Sequence, residues 1–269
     1  MGNQVFLFRF RGQADKSWPI KPSIYRFSAF LRYQTTFYEK QLLGAKPEKA
    51  NPPLTHTDYD LEWLMLCQHY EIPTRLVDWS TDILSALFFA CYGNDEISID
   101  GALYICKQSD YPLYSKYDDS LADGQELAFV STYVINPRMR NQSGCFMMWG
   151  HSPVDDSTET YDLQKYHEQK GNSFFLEKLI IPSNSKRKIL DELKTYYSIT
   201  FDSIYLKNGF LETQYGAGFK TLKENARLIT LHLTDADKLS VAENKKVIKM
   251  SGGVDRTNMF GNCVNLRKV

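Results

Sequence analysis

The sequence predicts an α+β fold. Helix-like patterns crowd the first third, strand-like runs fill most of the remainder, and no repeat or low-complexity tract interrupts either. With 43% apolar and 24% charged residues in 269, the composition suits a folded chain that buries a core, not a disordered one.

Val5 to Phe10 is aromatic and apolar without helical gaps and reads as a buried strand. Pro19 and Pro22 break the chain, and Ser23 can cap a helix turning Ile24, Phe27, Phe30 and Leu31 inward. After a polar loop from Gly44 to Pro53, Asp58 and Asp60 favour a helix start, Leu61, Leu64 and Met65 supply its inward stripe, and Pro73 stops it. Residues 74–79 read as a short extended segment. Ser80, Thr81 or Asp82 then caps an apolar helix ending at Gly93-Asn94. Ala102–Cys106, Ala128–Ile135, Cys145–Trp149, Phe174–Ile181 and Arg227–Leu233 read as strands. Lys186–Tyr197 is an amphipathic helix with Ile189, Leu190, Leu193 and Tyr197 on one side. Residues 107–127 and 151–170 are polar and read as loops or insertions. The expected organisation is one domain over residues 1–235, with a basic extension over 236–269.

Charge is unevenly spread. Residues 1–50 carry nine basic and three acidic side chains, residues 51–130 three and fourteen, and the rest twenty and fifteen, which cancel. A neutral total argues against a non-specific nucleic-acid coat, though solvated faces of opposite sign or a local positive groove both remain compatible with it. The longest apolar run, Ile83–Tyr92, is half of the ~20 residues a membrane span requires. No membrane association is therefore expected. The segment Met1–Arg9 lacks the features of a signal peptide, and the five cysteines (67, 91, 106, 145, 263) are odd in number with no Cys-x-x-Cys. A reducing, cytoplasmic setting is the expectation. His56, His151, His167 and His232 show no metal-ligand spacing, so no metal site is expected, and neither a P-loop nor a Gly-x-Gly-x-x-Gly is present.

Three clusters could carry chemistry. The first is Phe10-Arg11-Gly12-Gln13, directly after a strand. Arginine there presents a planar fork of donors suited to phosphate or carboxylate, and Gly12 allows close backbone approach. A pairing with a buried carboxylate explains Arg11 equally. The second runs from Gln68-His69-Tyr70 through Thr74-Arg75-Leu76-Val77-Asp78-Trp79-Ser80, between two apolar helices. An extended segment feeding a helix start can hold an anion, whereas Arg75 and Asp78 could simply pair and His69 cap its helix. The third, Asn136 to Phe146, includes Arg138, Arg140, Gln142 and Gly144 and reads as a ligand-facing loop or an ordinary hairpin. Glu177, on a strand, faces either a cleft or a neighbouring side chain.

On these residues the sequence resembles the FRG domain family, named for a Phe/Tyr-Arg-Gly motif. The matching stretches are Phe10-Arg11-Gly12-Gln13, Pro22-Ser23-Ile24-Tyr25-Arg26, Gln68-His69-Tyr70, Pro73 to Ser80, Ala86 to Ala90, Gln142-x-Gly144-x-Phe146 and Lys178 to Pro182. Glu71 stands where the family usually has glycine and Val77 where it has leucine. The order of motifs is similar to the ADP-ribosyltransferase fold, particularly DarT-type toxins. The resemblance implies a helical N-terminal part packed on a mostly antiparallel split sheet and an NAD-dependent transferase, plausibly a bacterial toxin or phage-defence effector. By that resemblance Arg11, Asp78, Gln142 and Glu177 would serve catalysis. Arg11, Gln13, Arg26, His69, Thr74, Arg75, Trp79 and Ser80 would bind NAD as substrate. The family's catalytic glutamate has no counterpart in the third cluster, so Asp78 or Glu177 would supply the carboxylate. The implied partners are NAD, a nucleic-acid or protein acceptor and an antitoxin or other neutralising protein. The competing reading is a non-catalytic nucleotide- or nucleic-acid-binding module.

Overall fold

The structure is a computed structural model that describes residues 7–26, 39–40, 42–44, 59–69, 72–93, 98–115, 127–130, 137–150, 162–171 and 174–205. The strand expected over Arg227–Leu233 and the extension expected over 236–269 lie outside these residues.

Seven strands form one sheet: β1 Phe8–Gln13, β2 Leu76–Ser80, β3 Gly101–Lys107, β4 Leu113–Tyr114, β5 Ala128–Val130, β6 Gly144–Met148 and β7 Leu176–Ile181. Their spatial order is β4-β5-β6-β2-β1-β3-β7. The fold is thus α+β with a mostly antiparallel sheet. β1 pairs antiparallel with both β2 and β3, β3 with β7, and β5 with β6, while β4 and β5 run parallel. Six helices are described: α1 Tyr59–His69, α2 Ile83–Cys91, α3 Pro137–Asn141, α4 Leu163–Lys170, α5 Ser183–Tyr197 and α6 Phe201–Tyr205. The chain divides into two compact units. One comprises residues 1–21, 77–150 and 159–209, and the other residues 22–76, 151–158 and 210–269.

In the first unit, strand register assigns side chains to faces. Arg11 lies opposite Tyr104, and Tyr104 opposite Lys178. Alternation therefore groups Arg9, Arg11, Gln13, Ala102, Tyr104, Cys106 and Lys178 on one face. Phe10, Gly12, Leu103, Ile105 and Glu177 belong to the other. That second face carries α2. An added Cβ at Gly12 would stand 1.8 Å from the Ala86 carbonyl oxygen, and one at Gly101 2.2 Å from that of Ala90. Asp82 starts α2 by accepting from Leu84 N–H and Ser85 N–H (3.3 and 2.8 Å). Phe88 of α2, Leu193 of α5 and Ile204 of α6 are the buried centre of the cluster beneath, ringed by Leu84, Ile189, Leu190 and Tyr205.

In the second unit, α1 buries Leu61, Trp63, Leu64, Met65, Leu66 and Cys67. Trp63 donates its indole N–H to the Leu42 carbonyl (2.7 Å).

Two of the polar segments expected to be loops contain regular structure. Residues 163–170 form α4, capped by Asp162, and Leu113–Tyr114 form an edge strand. The third cluster is not a simple hairpin either, because Pro137–Asn141 form a helical turn before β6. Proline at a first helical position costs nothing, since that N–H would be unpaired anyway.

Candidate functional site

β1 is an interior strand, and Arg11 sits in its middle, half-buried. Its Nη1 donates to the backbone carbonyl of Asp78 on β2. Phe10 is opposite Ser80, so Arg11 and Trp79 stand one position further on, level with each other. Across β1 on its other side stands Tyr104. Arg11 is thereby flanked by two aromatic residues, one from each neighbouring strand.

Three polar atoms around it are buried with no hydrogen-bond partner: Gln13 Oε1, Trp79 Nε1 and Tyr104 OH. Each belongs to a side chain at most 4% exposed. Leaving a buried polar atom unsatisfied costs roughly 1–3 kcal/mol, so such atoms in one place call for a physical explanation. The remaining polar atom of Gln13, Nε2, donates to the Pro19 carbonyl (3.3 Å), and the Trp79 ring meets Phe129 edge-on at 6.2 Å. Lys178 Nζ lies 5.3 Å from the Tyr104 ring centroid while donating to the Lys16 carbonyl (2.7 Å). Burial, reinforced by the Asp162 charge and opposed by Arg11, pushes the Tyr104 hydroxyl up to about 12. It is a neutral donor at physiological pH.

Several residues expected at the site have other occupations. Ser80 Oγ donates to the Gln142 carbonyl (2.9 Å) and accepts from Asp82 N–H (3.0 Å), tying β2 to the turn before β6. Gln142 Nε2 donates to the Ile204 carbonyl (3.3 Å), which anchors that turn to α6. Glu177 is exposed opposite Ile105, on the face away from Arg11. Asp78 is exposed on β2. Gly12 makes room for α2 and not for a ligand. In the second unit, Arg75 is fully buried and forms a two-pronged pair with Glu39, Nε to Oε2 at 2.7 Å and Nη2 to Oε1 at 2.6 Å. Its carboxylate partner is therefore one the sequence spacing did not suggest. Thr74 accepts from Leu76 N–H and donates to Gln68 Oε1 (2.6 Å). His69 is buried at the end of α1, and Arg26 ends the 3-10 turn Ser23–Arg26, with its side chain outside the described residues.

The sequence does not point to Tyr104, which stands opposite Arg11, or to Asp162, whose charge acts on Tyr104. A polar-tipped aromatic in the otherwise apolar Ala102–Cys106 run is the one available signal for the first. Leu163 directly after an aspartate, as at a helix start, was the signal for the second. Among the described residues no cysteine offers a nucleophile. Burial pushes the Cys91 thiol up to about 11 and that of Cys145 to about 12, and holds those of Cys67 and Cys106 well above the ordinary thiol value. Among the described residues no three His, Cys, Asp or Glu side chains gather as a metal site would require, and no helix is long and apolar enough to cross a membrane.

Fold and site together define an α+β protein with an arginine-centred polar row on an interior strand of a mostly antiparallel sheet. Residues 7–98 match the family model of the FRG domain, so this stretch of the chain is an FRG domain. The matched stretch begins at β1 and ends after α2, short of β3. No curated protein and no solved structure matches the chain.

Proposed function

We propose that the Arg11 face binds NAD and that the protein is an ADP-ribosyltransferase, of the toxin or defence-effector kind, acting on a nucleic acid or a protein. One observation carries the reading. Arg11 stands on an interior strand between Trp79 and Tyr104, among buried polar atoms that the described residues leave unsatisfied. A dinucleotide suits these groups. Its pyrophosphate matches a guanidinium fork, and its ribose and amide groups offer both donors and acceptors. In the reaction, the bond from ribose C1′ to nicotinamide breaks and its electron pair leaves with the nicotinamide. The acceptor's nucleophilic atom then bonds to C1′ and gives up its proton. The ribose carries oxocarbenium-like positive charge in between, so fixed negative or dipolar groups beside it lower the barrier.

A second reading, a nucleotide-binding module without turnover, draws support from Glu177 and Gln142. Glu177 faces away from Arg11, and the Gln142 amide is engaged with α6. Purified protein incubated with NAD and cell extract separates the two. Nicotinamide release, or label transferred from NAD to a macromolecule, is expected from the wild type and lost by about a hundredfold or more in Arg11→Ala. Release unchanged in that variant would refute the site. Binding without release would establish the module instead.

A further inference from the structure

The carboxylate that the third motif lacks has a candidate elsewhere. Glu177 is on the wrong face of the sheet, yet an acid stands next to the segment that receives the side chain of Gln13, which shares the Arg11 face. Gln13, two positions along β1 from Arg11, sends its amide N–H to the Pro19 carbonyl. The next carbonyl, that of Ile20, accepts the N–H of Leu163 (3.0 Å) and so pins the start of α4 to the segment that receives the Gln13 side chain. Asp162 is the residue just before that anchor. It is half-buried, and its Oδ1 accepts from Gln164 N–H (3.0 Å) as the helix cap. Its Oδ2 takes no hydrogen bond from any described residue. The charge of the same carboxylate acts on the Tyr104 hydroxyl, on the residue opposite Arg11, and disfavours its ionisation. Burial holds its proton affinity above the ordinary carboxylate value, against the pull of the Gln164 N–H, Lys165 and Lys21 and with the push of Glu168.

We propose that Asp162 is the catalytic carboxylate of this site, with Oδ2 accepting a hydrogen bond from a ribose hydroxyl of bound NAD. Tyr104 OH and Gln13 Oε1, both buried without a partner, then add one donor and one further acceptor. The inference rests on the NAD reading above. No bond changes at Asp162 itself. Its negative charge stands beside the ribose as positive charge develops there, an interaction stronger in the transition state than in the bound substrate.

The test compares wild type, Asp162→Asn, Asp162→Ser and Glu177→Gln at full length, measuring nicotinamide release and NAD affinity by calorimetry. Asparagine and serine both cap helices, so α4 is kept in at least one variant, as the melting temperature would verify. The expected result is a loss of about a hundredfold in release for the Asp162 variants, with affinity within about threefold and Glu177→Gln unaffected. A wild type that releases nicotinamide alongside Asp162 variants that release it equally well would overturn Asp162 alone. A wild type that neither binds nor consumes NAD would overturn the NAD reading and the role of Asp162 with it.

Discussion

Gly12 owes its place to packing. The residue that gives the motif its last letter has no room for a side chain, because the α2 backbone lies where a Cβ would go, 1.8 Å from the Ala86 carbonyl oxygen and 2.5 Å from Ala90 N. Backbone atoms of a helix cannot swing aside as a side chain can. Gly12→Ala is therefore expected to destabilise by about 3 kcal/mol, by forcing β1 and α2 apart. Gly144 is the control, since its nearest neighbour would be Met139 carbonyl oxygen at 3.5 Å, an ordinary contact. Alanine there should be neutral or stabilising by up to about 1 kcal/mol. Urea unfolding of both variants checks the pair, and equal effects would contradict the close approach. Because Gly12 and Arg11 point to opposite faces, the motif couples two tasks in adjacent residues. One seats the strand on its helix, and the other presents a guanidinium on the far side.

Helix α5 shows how elements borrow from one another. It begins after Pro182, which supplies no side-chain cap. Asp100, just before β3, does so instead, accepting from Ser183 N–H (2.8 Å) through Oδ1 while Oδ2 takes Lys16 Nζ (3.0 Å). The Ser183 N–H first, then Lys16, hold this carboxylate below its ordinary value. A depressed carboxylate stabilises the fold above its unfolded pKa, and that contribution fades as pH falls through the folded one. Asp100→Ala should thus lower the urea midpoint at pH 7, and the gap from wild type should narrow at pH 3. A gap that stays constant would show that charge plays no part. Elements of this kind were legible in the sequence to different degrees. A cap at Ser80, Thr81 or Asp82 followed by a mostly apolar run announced α2, with Asp82 the residue that takes the role, and the apolar Ala102–Cys106 run announced β3. Helix α4 escaped notice because Leu-Gln-Lys-Tyr-His-Glu-Gln-Lys is polar on most sides and only Leu163 is fully buried. Strand faces were hidden for a different reason. Alternation fixes which residues of one strand share a side, but pairing register sets which side that is, and register depends on distant partners. Hence Glu177 could be placed on a strand from sequence but not on the face away from Arg11. In the same way, the partner of Arg75 could not be found at Glu39.

At the scale of the molecule, the FRG stretch and the folding unit do not coincide. The matched residues, 7–98, stop before Gly101, where β3 begins. Yet β1 is paired along its whole length with β3, from Phe8 opposite Lys107 to Gln13 opposite Ala102, whereas its described pairing with β2 is Phe10 opposite Ser80. Without β3 the motif strand keeps little of its ladder, and Arg11 loses Tyr104 from its side. The α2 face loses cover as well, because Phe88 packs with Leu193 and Ile204, both contributed by later helices. What residues 7–98 keep of the first unit, two strands and an α2 whose apolar face is uncovered, is marginal in water. A fragment of residues 7–98 is accordingly expected to show no cooperative thermal transition and no NAD-dependent shift. The intact chain should melt cooperatively and gain stability with NAD, by about 2.7 kcal/mol at a hundredfold excess over its dissociation constant. Circular dichroism melts of both, with and without NAD, decide the matter. A fragment that unfolds cooperatively would mean that the arginine motif carries its own fold, and that β3, Tyr104 and Asp162 are additions to it and not its completion.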